Sequence, residues 1–175
     1  MRGTLKYSRE LFWHYWIPVL VMLSLIGLES TDTMSGHNTF HLLSWLTQVL
    51  GLPLSQGHLQ LANLVMRKGG HTVGYGLLCL SWLLLLRGTS WLRHDYKRAQ
   101  RDSMQAWKMW WRPEWAALAA LLTFSVATAD ELHQMSIPSR SGSWWDVALD
   151  TCAGLIVLSL INLRARSRCR HSQTA

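Results

Sequence analysis

Hydrophobic residues in this chain gather into four runs separated by polar segments. Leu11 to Leu28 forms the first, with His14 and Pro18 inside it. Gly69 to Leu86 forms the second and holds one ionisable residue of note, His71. The third starts at Trp115, runs uncharged to Ala129 and then meets Asp130. The fourth, Trp144 to Leu163, carries Asp146 and Asp150 in its first two turns. Each is close to the roughly 20 residues that carry an α-helix across a hydrocarbon core about 30 Å thick. The expected fold is therefore all-α: one domain over residues 1–175, a bundle of four transmembrane helices at about 11–28, 69–86, 115–134 and 144–163. Between the first two runs, Phe40, Leu42, Leu43, Leu46, Val49 and Leu50 keep a helical period. Leu59 to Met66 keeps a second, and Gly51 and Pro53 break the chain between them. One or two short helices lying on the membrane surface or capping the bundle are predicted there. The first run is long for a signal-peptide core and no small-x-small cleavage site follows it, so a retained helix is expected.

Composition agrees once it is read by position. The chain has 175 residues, of which 49% are hydrophobic, and its mean hydropathy is only +0.07. The polar segments between the runs produce that low average. Charged residues make up 15%, against a usual share of about 25%, yet the net charge is +7. Such a balance fits a basic nucleic-acid binder or a membrane protein, and the placement of the charges separates the two. Fourteen of the lysines and arginines fall before the first span (Arg2, Lys6, Arg9), between the second and third (Arg87, Arg93, Lys97, Arg98, Arg101, Lys108, Arg112), and after the fourth (Arg164, Arg166, Arg168, Arg170). Four spans put these segments on one side and leave Arg67, Lys68 and Arg140 opposite. By the positive-inside rule, both termini and the central loop are cytoplasmic. The basic residues near Trp91 and Tyr96 could grip a phosphate backbone. Lying between two apolar spans, they read instead as an interfacial loop, and no nucleic-acid partner is expected. Trp13, Trp16, Trp110, Trp111, Trp115, Trp144 and Trp145 fall near span ends, as interfacial anchors do. Cys79 and Cys152 lie within spans and Cys169 in the tail, with no disulfide framework; small buried residues are the expectation.

The topology also collects polar residues at one depth. The second span starts outside and carries Lys68, His71 and Tyr75, three and four apart on one face. The third ends outside with Asp130, Glu131, His133 and Gln134. The fourth starts outside with Asp146 and Asp150 four apart, and Arg140 sits in the turn between. Ionisable groups at membrane depth are a functional-site hypothesis by default. Two readings stay open: an interhelical network in which Arg140 and Lys68 neutralise the acids, or a pocket open to the outer face.

These residues also form recognisable motifs. Arg67-Lys68-Gly-Gly-His71-Thr-Val-Gly-Tyr75-Gly-Leu-Leu resembles the RKxxHxxxYxxL second-helix motif of the VanZ-like family of bacterial membrane proteins. Asp130-Glu131-Leu-His133-Gln134, then Pro138-Ser-Arg140-Ser-Gly142-Ser, then Asp146 and Asp150, is similar to its DExxQ…PxRxxxxxDxxxN/D stretch. The match covers about residues 67–154. Gly74 departs from the pattern where many members carry an acid, and Ala153 where a glycine is common. The resemblance implies a compact helical protein of the bacterial cytoplasmic membrane, linked to the cell envelope and to resistance against teicoplanin-type glycopeptide antibiotics. Its motif positions, Lys68, His71, Tyr75, Asp130, Glu131, Gln134, Arg140, Asp146 and Asp150, coincide with the polar layer.

Three functions fit such a layer. In the first, it binds an anionic or amide-rich envelope molecule, such as the head group of a lipid-linked cell-wall precursor or a glycopeptide-related ligand, with Arg140 and Lys68 on its phosphate or carboxylate. Membrane lipids are then its natural surroundings and partners. In the second, it is an enzyme acting on such a lipid: His71 is the general base or nucleophile, Glu131 or Asp150 orients it, and Arg140 stabilises an oxyanion. In the third, the acids and His71 form a proton-coupled carrier, although no polar layer continues into the cytoplasmic halves. No cofactor is called for. A metal set from His71, His133, Glu131, Asp146 and Asp150 lacks an HExxH-type signature, and His133 cannot share a helix face with both Glu131 and Gln134, so no metal site is assigned. His37, His41 and His58 are expected on the surface.

Overall fold

A computed structural model of the protein describes residues 12–52, 54–93, 112–138, 140 and 142–171. Among these there are five α-helices and no strand: α1 (Ile17–Glu29), α2 (Gly36–Val49), α3 (Gln56–Arg93), α4 (Pro113–Met135) and α5 (Trp144–His171). A π-helical turn, Phe12–Trp16, leads into α1, and a 3-10 turn, Asp32–Met34, precedes α2. The widened turn suits Pro18, which lacks an N–H and whose ring would press on the carbonyl of His14 in a regular α-helix. Four stretches are long and apolar enough to cross a membrane: Phe12–Glu29, Gln56–Thr89, Pro113–Met135 and Trp144–Arg164. The expected four-span all-α architecture is the one found. The N-terminal residues Arg2, Lys6 and Arg9, and Lys97, Arg98, Arg101, Lys108, Trp110 and Trp111 of the basic loop, lie outside the described residues.

One expectation is corrected. Leu59 to Met66 is not a separate surface helix but the opening of α3, which runs unbroken over 38 residues. At 1.5 Å per residue that is about 57 Å, well beyond a core of about 30 Å. Gly69 and Gly70 do not interrupt it, because glycine is well tolerated in membrane helices. The overhang before Lys68 carries α2, and the amide of Asn63 donates to the carbonyl of Gly36 at 2.9 Å to tie the two. Only α2 remains as a short helix after the first span. Ser35 caps it, its hydroxyl facing the Asn38 amide at 3.5 Å.

Helix α3 is the axis of the bundle, packing on α1, α2, α4 and α5. Of its apolar stretch 39% is buried, against 11% for the first span. One core cluster joins Ile26, Tyr75, Leu78, Ala127 and Val147 from four helices. A second joins Cys79, Leu83, Ala119 and Leu158. Lipid tails are as apolar as leucine, so helix association in a membrane depends on close packing of small residues and on polar bonds rather than on burial from water. Gly154 shows the packing: a Cβ there would lie 3.0 Å from Cys79 Cβ. Exposed leucines, valines and tryptophans over the outside of the bundle are the lipid-facing complement. Cys79 is buried as expected, whereas Cys152 is exposed on α5. His37, His41 and His58 are on the surface.

Candidate functional site

One ion pair and one imidazole–carboxylate contact set the register of α3 against α5. Lys68 Nζ contacts Asp146 Oδ1, and one turn further His71 Nδ1 lies 3.5 Å from Asp150 Oδ2. Both numbers rise together along the two helices, so α3 and α5 run parallel, as the second and fourth of four alternating spans must. The i, i+3 spacing on α3 meets the i, i+4 spacing on α5 because both equal about one helical turn. The outer pair is half exposed, with Lys68 at 46%, while the Asp150 side chain is only 1% exposed. The His71 ring lies nearly parallel to that of Tyr75, with centroids 6.1 Å apart.

Behind this ladder, α4 contributes a closed cluster. The Tyr75 hydroxyl donates to Asp130 Oδ2 at 3.0 Å, and Gln134 Nε2 donates to the same oxygen at 3.1 Å. All three side chains are buried. Glu131, one residue on, turns to the start of α5, where its Oε2 accepts the Ser143 amide at 2.7 Å. A carboxylate beside a helix N-terminus is favoured by the backbone dipole. Ser143 itself accepts the Trp145 amide on its hydroxyl. The α4–α5 turn that makes this contact requires Gly142: a Cβ there would fall 2.5 Å from the Glu131 carbonyl.

Arg140 closes the turn onto α1. Its Nη2 donates to the carbonyls of Glu29 and Thr31, the latter at 2.8 Å. These are orphan acceptors at a helix C-terminus, where a cation is also favoured by the dipole. Burial and the neighbouring Arg67 push the guanidinium below its usual range, while the carboxylates of Asp130, Glu29 and Asp32 hold it up; arginine stays charged under such shifts. Its Nε and Nη1 are buried without a hydrogen-bond partner.

Between α3, α4 and α5 this arrangement leaves a cleft of about 180 Å³. Of the nine residues singled out in the sequence, Lys68, His71, Glu131, Gln134, Asp146 and Asp150 line it, together with Leu64, Arg67 and Leu149. Tyr75, Asp130 and Arg140 are not among its walls; they fix the helices around it. His133 is exposed on the opposite face of α4. Arg67 was visible in the Arg67-Lys68 motif but not singled out. Among the described residues its guanidinium has no ion pair or hydrogen bond, and it rests against Gly36. Glu29 was also not singled out; its carboxylate packs against Gly70, the neighbour of His71. Both Asp150 oxygens are buried without a hydrogen bond. The walls of the cleft thus include a cationic residue without an ion pair among the described residues, Arg67, and a buried carboxylate without a hydrogen bond, Asp150, next to an imidazole. No group of three His, Cys, Asp or Glu side chains that could hold a metal ion occurs among the described residues.

Four apolar helices with a polar cleft sunk between three of them define a polytopic helical membrane protein with an ionisable site within the bundle. The sequence model of the family described as VanZ/LLP1 matches residues 9–165, nearly the whole chain, and the protein belongs to that family. No curated protein and no solved structure matches the chain.

Proposed function

We propose that the cleft is a binding site for the anionic head group of an envelope molecule, open to the outer face of the bacterial cytoplasmic membrane. The excess of lysine and arginine in the N-terminal, central and C-terminal segments supports that orientation. The observation that carries the reading is a cavity walled by two cationic residues, Arg67 and Lys68, together with the Asp150 carboxylate, whose oxygens have no hydrogen bond. A finished structural network satisfies its members, since a buried polar group without a partner is costly. A ligand with a phosphate or carboxylate for Arg67 and Lys68, and a hydroxyl or amide donor for Asp150, supplies both missing partners. Arginine suits the anion because its planar fork binds two oxygens at once. Arg140, whose Nη2 holds the α1 carbonyls and which does not line the cleft, is a positioning residue in this scheme rather than the anion's partner. A role in tolerance of teicoplanin-type glycopeptides follows if the ligand is a cell-wall precursor.

The test is thermal stability of the purified protein in phosphatidylcholine nanodiscs, titrated with a long-chain alkyl phosphate or with the matching alcohol. Saturable stabilisation by the phosphate and none by the alcohol supports the reading. Equal responses to the two overturn it.

A second reading has one observation in its favour. His71 faces a buried aspartate through Nδ1, and its Nε2 has no hydrogen bond among the described residues. An imidazole so oriented is the usual form of a general base. In this reading Asp150 orients the imidazole, because Glu131 is engaged at Ser143. Turnover of a lipid phosphate ester, abolished in His71→Gln, would favour an enzyme over a binding protein.

A further inference from the structure

A second cavity lies beside the cleft. It is a groove of about 350 Å³ between α3 and α5, lined by Thr72, Trp145, Ala148, Leu149, Cys152, Ala153 and Ile156. Leu149 forms a wall of both cavities. Thr72 follows His71 in sequence and Trp145 precedes Asp146, so the same helical turns present charges to one side and apolar surface to the other. The one hydroxyl in the groove is taken out of play, since Thr72 Oγ1 donates to the Lys68 carbonyl at 2.8 Å. The groove opens on the lipid-facing surface, with Trp145, 84% exposed, at its rim. Near it α3 and α5 come together at Gly76, where a Cβ would lie 3.3 Å from Val157.

Its length and its shared wall with the cleft suit one occupant. From Trp145 to Ile156 along α5 is about 16 Å at 1.5 Å per residue, or half of a core about 30 Å thick. That is one leaflet. Leu149, a wall of both cavities, places a chain in the groove directly beside a head group in the cleft. A hydrocarbon chain hanging from a head group at the bundle's polar end fits it.

We propose that the ligand of the cleft is a lipid: its anionic head enters sideways past Leu149 and its chain lies in the α3–α5 groove. This rests on the reading of the cleft as a head-group site. Transfer of a chain from bilayer to groove brings no hydrophobic gain. The groove therefore contributes alignment and close contact, selecting for lipids whose head and chain meet at a single-chain junction near Leu149.

The experiment uses dodecyl phosphate bearing a diazirine near the middle of its chain, added to the protein in phosphatidylcholine nanodiscs. Crosslinks are mapped by peptide mass spectrometry. They are expected to concentrate on the segment holding Cys152 and Ile156, and to fall at least fivefold when unlabelled dodecyl phosphate competes. Ala148→Trp, which fills the groove, is expected to lower the preference for dodecyl phosphate over inorganic phosphate at least tenfold; Leu121→Trp, on the exposed face of α4, is the control for a general change of surface. Crosslinks spread evenly over exposed faces such as Leu121 and Phe124, with dodecyl and inorganic phosphate both bound, overturn the chain's place while leaving the head-group site intact. Absence of saturable binding by either phosphate overturns both. Crosslinking to Cys152 blocked by a second copy of the chain, in nanodiscs that hold two, would replace the lipid with a protein occupant.

Discussion

His71 Nδ1 lies 3.5 Å from the buried carboxylate of Asp150, and neither Asp150 oxygen has a hydrogen bond of its own. The two depend on one another for what compensation they have. His71→Ala leaves the aspartate with no nearby donor, so it should destabilise by about 1–3 kcal/mol. Adding Asp150→Ala should recover part of that loss. A double-mutant cycle by denaturant unfolding in mixed micelles checks this, and strict additivity of the two substitutions would show that the pair is not coupled.

The Tyr75–Asp130–Gln134 cluster should behave as structure rather than as a site. Tyr75→Phe removes one of two donors to Asp130 Oδ2 and should destabilise by about 0.6–2 kcal/mol. Asp130→Ala strands both donors and should do more harm. Affinity for a lipid phosphate, measured on the folded fraction, should change less than threefold in Tyr75→Phe.

The outer pair predicts the reverse. Lys68 is half exposed, so its bond to Asp146 contributes little to stability, under about 1 kcal/mol. Lys68→Gln should therefore unfold close to wild type while binding a lipid phosphate at least fivefold more weakly. A large loss of stability with unchanged binding would assign Lys68 to the scaffold.

Gly142→Ala is a test of the turn. A Cβ there would strike the Glu131 carbonyl and the Met135 side chain, each at 2.5 Å. Backbone has to move, and a cost of about 1–3 kcal/mol is expected. Because Glu131 is bonded to Ser143 across the same turn, the variant should also lose ligand affinity, read by the same titration.

Much of this was legible in the sequence because membranes make sequence patterns strict. Apolar runs of span length gave the four crossings, and Lys68, His71, Asp146 and Asp150 met because one-turn spacings on parallel helices must coincide. What the pattern could not show was direction within a crowded layer. Arg140 and Arg67 are both cations at the same end of the bundle, and nothing in their spacing says that Arg140 caps α1 while Arg67 faces the cleft. That depends on the path of the turn through Pro138 and Gly142. Likewise, Asp130 and Glu131 are adjacent, and a helix separates them by about 100°, sending one to Tyr75 and the other to Ser143. The continuation of α3 back to Gln56 was hidden by the polar residues at its start, which break the apolar run but not the helix. Cys152 was expected to be buried within its span, because sequence hydrophobicity does not distinguish lipid-facing from core-facing positions.

In the proposed function the polar layer is an occupied pocket and not a closed network. A density map of the protein in nanodiscs supplied with a long-chain alkyl phosphate tests it most directly. Phosphate density is expected between α3, α4 and α5 within about 3 Å of the Arg67 guanidinium, continuing past Leu149 into the α3–α5 groove. An empty, contracted cleft with Arg67 paired to Glu131 or Asp150 would contradict it.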